Sequence, residues 1–308
     1  MRDSTIRHPL AAVVLAGILG FLGVCPALAQ ELEPGLYFSS PVGVNAAIVG
    51  YMYSSGNILM DSSLPIEGAH AQIHTVSVAV IRSFDLLGKT AKVDAQLPIA
   101  AGDFEGYVAG EFRTRKPSGP ADPRLRVLVN FIGAPALHKA EFAAQRPGTI
   151  VGASFQAVFP WGRYDPSRLI NLGSNRWSFR PELGVSRAQG KWHFELSTGV
   201  WLFTDNHENY GGTTLEQSAL PFVKGDVMYT FKRGMWVAAN YGVANGGETR
   251  VDGGPSSEIQ TNQRVGATFA YPFGRSLGAK LVYTSGLTTR IGADFDSYGA
   301  SVQYTWGG

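Results

Sequence analysis

The chain has 308 residues with 26 basic and 24 acidic side chains, a balance that removes any electrostatic reason to expect a nucleic-acid partner. Charged residues make up only 16% of it, where about a quarter is usual, while glycine reaches 38 residues and aromatics 11%. After residue 29 no apolar run is long enough for a membrane helix, so a bundle of such helices is excluded and half-polar, half-apolar strands are the expectation.

The N-terminus comes first. Arg2 and Arg7 form a basic start, Pro9 to Val24 is an apolar stretch, and Ala27-Leu28-Ala29 supplies the small-x-small pattern that signal peptidase requires. The expectation is a cleaved signal peptide over 1–29, with Gln30 opening the mature chain. The apolar stretch is short for an uncleaved anchor, and Val24 stands where lipoprotein processing at Cys25 wants a small residue. Cleavage removes Cys25, the chain's one cysteine, leaving no disulfide, thiol nucleophile or thiolate metal site.

Beyond residue 30 the dominant signal is alternation with a period of two. Ala91, Val93, Ala95, Leu97 and Ile99 alternate with Lys92, Asp94 and Gln96. Leu125, Val127, Val129 and Phe131 alternate with Arg124, Arg126 and Asn130, and Val151 to Phe159 with Gly152, Ser154 and Gln156. Trp177 to Val185 interleave with Arg176, Arg180 and Glu182, and Trp192 to Leu202 with His193 and Glu195. Strands are expected at 42–53, 70–82, 90–100, 123–133, 149–160, 175–187, 191–203, 215–231, 235–244, 261–272, 276–285 and 294–306. Their lengths, about nine to thirteen residues, suit a tilted membrane-spanning strand better than a globular one. Strands in lipid must pair every backbone group and so close on themselves. The fold class is therefore all-β, a closed antiparallel transmembrane β-barrel of about twelve strands over 30–308.

The connections alternate in length. Tight turns at 86–88, 188–190, 232–234 and 273–275 separate longer segments at 54–69, 101–122, 161–174, 204–214, 245–260 and 286–293, the pattern of periplasmic turns and outer loops. Residues 134–148 break it: a short turn is due, yet Pro135, Pro147 and a helix-compatible stretch at 136–144 appear. Two readings stand, a segment that caps or enters the lumen and a plain loop excursion. Trp161 and Trp177 flank one outer loop, and Trp192 and Trp306 sit at the opposite strand ends, the placement of interfacial aromatic girdles.

Several stretches resemble the family of meta-pathway phenol-degradation outer-membrane transporters. They include Gly43-Val44-Asn45, Gly50 to Ser54, Asp122-Pro123 with Arg126, Asn130, Gly133 and Pro135, and Gly162 to Asp165. Ile170 to Trp177, Arg180 to Gly184, Gly199 to Phe203, Gln217, Tyr229, Gly234, Trp236, Arg264 to Ala267 and Tyr271-Pro272 continue the likeness over nearly the whole chain beyond residue 30. The resemblance implies an outer-membrane barrel that carries small molecules, with hydrophobic or aromatic compounds as the suggested cargo.

No enzymatic constellation stands out. A Gly-x-Ser-x-Gly elbow is absent, Gly88-Lys89-Thr90 lacks the first glycine of a phosphate loop, and His207-Glu208 has no second histidine at zinc spacing. His70 and His74 share one strand face with Gln72 and Arg82, read as lumen-lining. Loop 205–209 is oxygen-rich but lacks calcium-loop spacing and reads as a solvated loop. The polar faces carry the functional expectation. Lys92, Asp94, Gln96, Arg124, Arg126, Asn130, Gln156, Arg176, Arg180, Glu182, His193, Glu195 and Arg264 should line the lumen, because a charge facing lipid at mid-depth costs about 2–4 kcal/mol. They either bias what passes or pair across the interior and plug it. The expected partners are outer-membrane lipid and lipopolysaccharide, the barrel-assembly machinery and a small-molecule cargo. The expected state is a monomer without cofactor, metal or nucleic acid. A structural or adhesive barrel with a plugged lumen is the alternative, and a barrel enzyme a more distant one.

Overall fold

The computed structural model describes residues 32–59, 66–108, 110–145 and 148–308, so the signal-peptide reading of 1–29 lies outside the described residues. Twelve strands close into one antiparallel barrel: β1 (Val44–Leu59), β2 (Ile66–Leu86), β3 (Lys89–Val108), β6 (Arg124–Ile132), β7 (Thr149–Val158), β8 (Ser178–Gln189), β9 (Trp192–Phe203), β12 (Leu220–Lys232), β13 (Met235–Gly246), β15 (Gln260–Pro272), β16 (Leu277–Thr289) and β17 (Gly292–Gly307). Each pairs with its sequence neighbour in the barrel, and β17 closes on β1 from Val44↔Gly307 to Leu59↔Gly292. Closure leaves no free edge among these strands. The remaining short strands lie between them: β4 (Glu111–Arg115) and β5 (Ser118–Pro120) pair with β3, while β10 (Asn206–Asn209), β11 (Thr213–Gln217) and β14 (Thr249–Val251) make a separate three-stranded sheet.

Alternation decides which side chains face out. On β2, Val76, Val78 and Val80 are exposed on the barrel's outer surface while Thr75, Ser77 and Ala79 point inward. Leu97 and Ile99 on β3, Leu183 and Val185 on β8, and Tyr298, Val302 and Tyr304 on β17 continue the apolar outer surface. All four predicted girdle tryptophans lie on it. Trp161 and Trp177 pack on Phe159 at the long-loop end, Trp192 packs on Tyr229 at the tight-turn end, and Trp306 stacks on Tyr304.

Three expectations need correction. Several strands are longer than predicted, with β2 and β3 at 21 and 20 residues, because the ladder continues past the apolar band into the segments read as loops 54–69 and 101–122. The single strand expected at 215–231 is two elements. Gly247 N donates to Ala219 O and Ser218 N to Glu248 O, so the chain turns there from β11 in the small sheet into β12 of the barrel. Finally, His74, Gln72 and Arg82 lie on the outer face of β2, with Tyr51 Oη and His74 Nδ1 2.7 Å apart. A period of two gives two faces without saying which is inside, and this face is polar at its ends where the strand leaves the Val76–Val80 band.

Residues 134–145 lie against the tight-turn end. Thr90 N donates to Ala134 O, Ala136 N to Gly88 O and Val42 N to Leu137 O, and a short helix α1 (Lys139–Ala144) follows with Phe142 buried. Loop 205–209 is not free either. It forms β10, and Asn206 donates to Tyr164 Oη and accepts from Asn175 Nδ2, each at 2.9 Å.

Candidate functional site: a filled lumen

The segment before β1 does not lie outside the barrel. From Gly43 it climbs into the lumen, and Glu33, Leu36, Tyr37, Phe38 and Ser40 are all buried there. A turn over residues 34–37, with Phe38 N donating to Gly35 O, keeps this stretch out of any ladder. Its backbone groups need partners that no neighbouring strand supplies, and buried without them they would be costly. The barrel wall supplies them from side chains. Leu36 N and Tyr37 N donate to the two carboxylate oxygens of Glu195, both at 3.1 Å, Lys92 Nζ donates to Leu36 O at 3.0 Å, and Asn130 Nδ2 to Tyr37 O at 2.9 Å.

Above these contacts, Glu33 enters a cluster of guanidinium groups. Its carboxylate accepts from Arg124 Nη2 at 3.1 Å, from Arg126 Nη1, and from Arg180 Nη2 at 3.4 Å. Arg126 Nε also donates to Asp94 at 2.9 Å, and Glu182 pairs with Lys224 at 3.2 Å and with Arg180 at 3.6 Å. Gln156 Oε1 accepts from both Arg124 and Arg180. Charges this deep are costly unless paired and hydrogen-bonded, and the segment brings a carboxylate to three of them. Among the described residues, the buried cations are Lys92, Arg124, Arg126, Arg180, Lys224, Arg264 and Lys280, and the buried strand carboxylates are Asp94, Glu182, Glu195 and Asp226. The wall alone is therefore cationic, and Glu33 offsets part of the excess.

Shape follows the same logic. Gly152 and Gly184 are direct partners across β7 and β8, and a Cβ at either would run into the Tyr37 ring. The missing side chains make a flat slot for the phenol, whose hydroxyl donates to Glu182 Oε1 at 3.3 Å. Phe38 packs with Met228, Trp236, Ala238 and Ala270, and its ring centroid lies 4.9 Å from that of His193.

Toward the long-loop end the interior changes character. Ala71, Ile73, Ala100, Phe104, Ala293 and Phe295 form an apolar cluster with Ala121 and Leu172 from the loops, and Val158, Trp201, Leu220, Phe222 and Ala244 form a second. Loop 161–177 is pinned over this end. Asp122 accepts from Gly162 N at 2.8 Å and from Ser174 N and Oγ at 2.7 and 2.6 Å. Within that loop, hydrogen bonds from Ser167 Oγ and N hold the exposed Asp165 carboxyl below its ordinary value.

Twelve of the thirteen predicted lumen residues point into the barrel and are buried: Lys92, Asp94, Gln96, Arg124, Arg126, Asn130, Gln156, Arg180, Glu182, His193, Glu195 and Arg264. Arg176 is the exception. β8 begins only at Ser178, so Arg176 belongs to the loop, where it donates to Gln217 Oε1 and lies over the Phe203 ring at 4.7 Å. Sequence reasoning missed Glu33, Lys224, Asp226 and Lys280. Lys224 and Asp226 were within reach, since they alternate with Val223 and Val227 as Lys92 and Asp94 do with Val93. Glu33 belongs to no alternating run.

The family model described as "Putative MetA-pathway of phenol degradation" matches residues 63–304. The chain belongs to that family. Among solved structures it is similar to the COG4313 outer membrane channel from Pseudomonas putida F1, at 19% identity over 90% of this chain and 100% of that one, with a TM-score of 0.76. The β domain of the Bordetella autotransporter BrkA (11% identity, 86% of this chain and 100% of that one, TM-score 0.47) is more distant. So is the transport unit of the autotransporter AIDA-I from Escherichia coli (9%, 86% and 90%, TM-score 0.48). No curated protein sequence matches the chain. The fold is that of an outer-membrane β-barrel.

Proposed function

We propose that this chain is an outer-membrane channel for small apolar molecules, aromatic compounds among them, held closed by its own N-terminal segment. The observation that carries the reading is the way residues 33–40 fill the middle of the lumen on wall side chains rather than on strand pairing. A segment held by side chains can leave without breaking the closed ladder. The apolar clusters at the loop end suit an uncharged or partly apolar solute, and family membership favours aromatic cargo. On this reading the chain transports and does not catalyse. A signal peptide at 1–29 is cleaved before Gln30, tight turns face the periplasm, and a monomer sits in lipid and lipopolysaccharide after insertion by the assembly machinery.

Planar-bilayer conductance and proteoliposome uptake of toluene-like and phenolic solutes test this directly. Wild type should conduct rarely and briefly, and removal of residues 32–40 should give a steady conductance and faster uptake. A barrel that stays silent after that removal would be a structural or adhesive barrel. Topology has its own test: an impermeant maleimide on intact cells should label Asn57→Cys and Ser256→Cys and spare Gln189→Cys.

A further inference from the structure

We infer that the arginine cluster around Glu33 is a binding site for the carboxylate of an apolar monocarboxylate cargo, and that Glu33 occupies it as an internal competitor. The inference rests on the channel reading for its biology, though binding itself needs no translocation.

Three features make this a built site. Arg124 and Arg126 from β6 and Arg180 from β8, the two strands that flank β7, converge on one carboxylate, and all three are almost wholly buried. Three guanidinium groups on one carboxylate is more than a single structural ion pair needs, and the planar fork geometry of arginine selects carboxylates. Second, further donors stand beside them. Gln156, whose Oε1 joins Arg124 to Arg180, has Nε2 without a hydrogen-bond partner among the described residues, and so has the fully buried Trp201 at Nε1. Third, the walls next to the cluster are aromatic. The Arg180 guanidinium carbon lies 5.2 Å from the centroid of Trp201 and 6.0 Å from that of Phe222, and both rings belong to the apolar cluster of the loop end. A ligand with its carboxylate on the arginines would place an aryl or alkyl body against those rings. A neutral apolar molecule would leave the cationic cluster unused. An inorganic anion would leave the rings unused.

Glu33 reaches the cluster from a segment that is not part of the ladder and that runs through Gly43 into β1 at Val44. Its carboxylate therefore competes with any carboxylate arriving from the loop end, and cargo and segment exclude one another.

The test compares two probes of one shape, 4-phenylbutyrate and 4-phenylbutanol, binding at equilibrium to the full-length barrel in nanodiscs. Glu33→Gln should strengthen phenylbutyrate binding on the order of tenfold or more, the worth of charge-assisted hydrogen bonds released to a new partner, and leave phenylbutanol unchanged. Adding Arg126→Gln and Arg180→Gln should abolish that gain. Decanoate against decanol separates an alkyl from an aryl preference. Should Glu33→Gln not give a heat-modifiable barrel, Glu33→Asp, whose carboxylate is one methylene shorter, serves instead, with a smaller gain confined to the carboxylate probe. Equal changes in both probes, or none in either, would overturn the site and leave Glu33 a structural lock. A carboxylate-selective gain in a barrel that never conducts would keep the site and remove the channel.

Discussion

Single strands of this barrel carry two kinds of interior. On β9, His193, Glu195 and Ser197 face inward at one level and Trp201 at the next, and on β12 the inward run is Leu220 and Phe222, then Lys224 and Asp226. The charged belt meets the N-terminal segment, while the apolar layer meets loop residues such as Leu172 and Ala121. What fills the space at each level decides its chemistry. A polar backbone and a carboxylate call for donors, cations and acceptors, whereas apolar loop residues call for rings and methyl groups. The belt is thus the layer where substitution should alter closure, and the apolar layer the one where it should leave closure unchanged.

The sharpest way to break this contrast is to delete residues 32–40. No barrel strand includes them, so heat-modifiable folding should persist while bilayer conductance rises several-fold. Arg180→Ala is next. Glu33 and Glu182 each lose a guanidinium but keep Arg124, Arg126 and Lys224, so the loss is that of a charge-assisted hydrogen bond, about 1.5–3 kcal/mol, and the docked segment should open more often in single-channel records. Gly184→Val should act more mildly. The new side chain collides with the Tyr37 ring, an overpacking cost of about 1–3 kcal/mol that gives occasional openings with the belt intact. The smallest effect belongs to the apolar layer: Ile73→Val should cost about 0.5–1.5 kcal/mol in urea unfolding and leave the conductance record as in wild type. A conductance change from Ile73→Val equal to that from Arg180→Ala would erase the distinction.

Much of this was legible in the sequence, for reasons that can be stated. Lys92, Asp94, Gln96, Arg124, Arg126, Glu182 and Glu195 sit one position from outward apolar residues, and lipid on one side makes that alternation strict. The strand count follows from closure, whereas the long–short rhythm of connections held only in part: β16 runs to Thr289 and β17 starts at Gly292, where a longer segment was expected over 286–293. Arg176 was misplaced because alternation runs on into a loop that Asp122 and Ser174 fold back, and a strand end is set by such tertiary contacts. His74 was placed inside because polar residues also suit the outer face beyond the apolar band. Glu33 was invisible for a different reason. It lies in an irregular segment whose conformation is dictated by the wall that receives it. Its trace in the sequence is indirect: Gly152 and Gly184, in strands otherwise rich in side chains, mark where something else must fit.

The central claim, that the N-terminal segment lies bound inside the lumen, is tested most directly by thiol accessibility at Leu36, which is buried in a cluster with Tyr37 and Leu128. In a chain carrying Cys25→Ser and Leu36→Cys, a water-soluble maleimide should react slowly with the folded barrel, and much faster once Arg126→Gln and Arg180→Gln weaken the belt. Fast labelling of the folded barrel with the belt intact, unchanged by those two substitutions, would contradict the account.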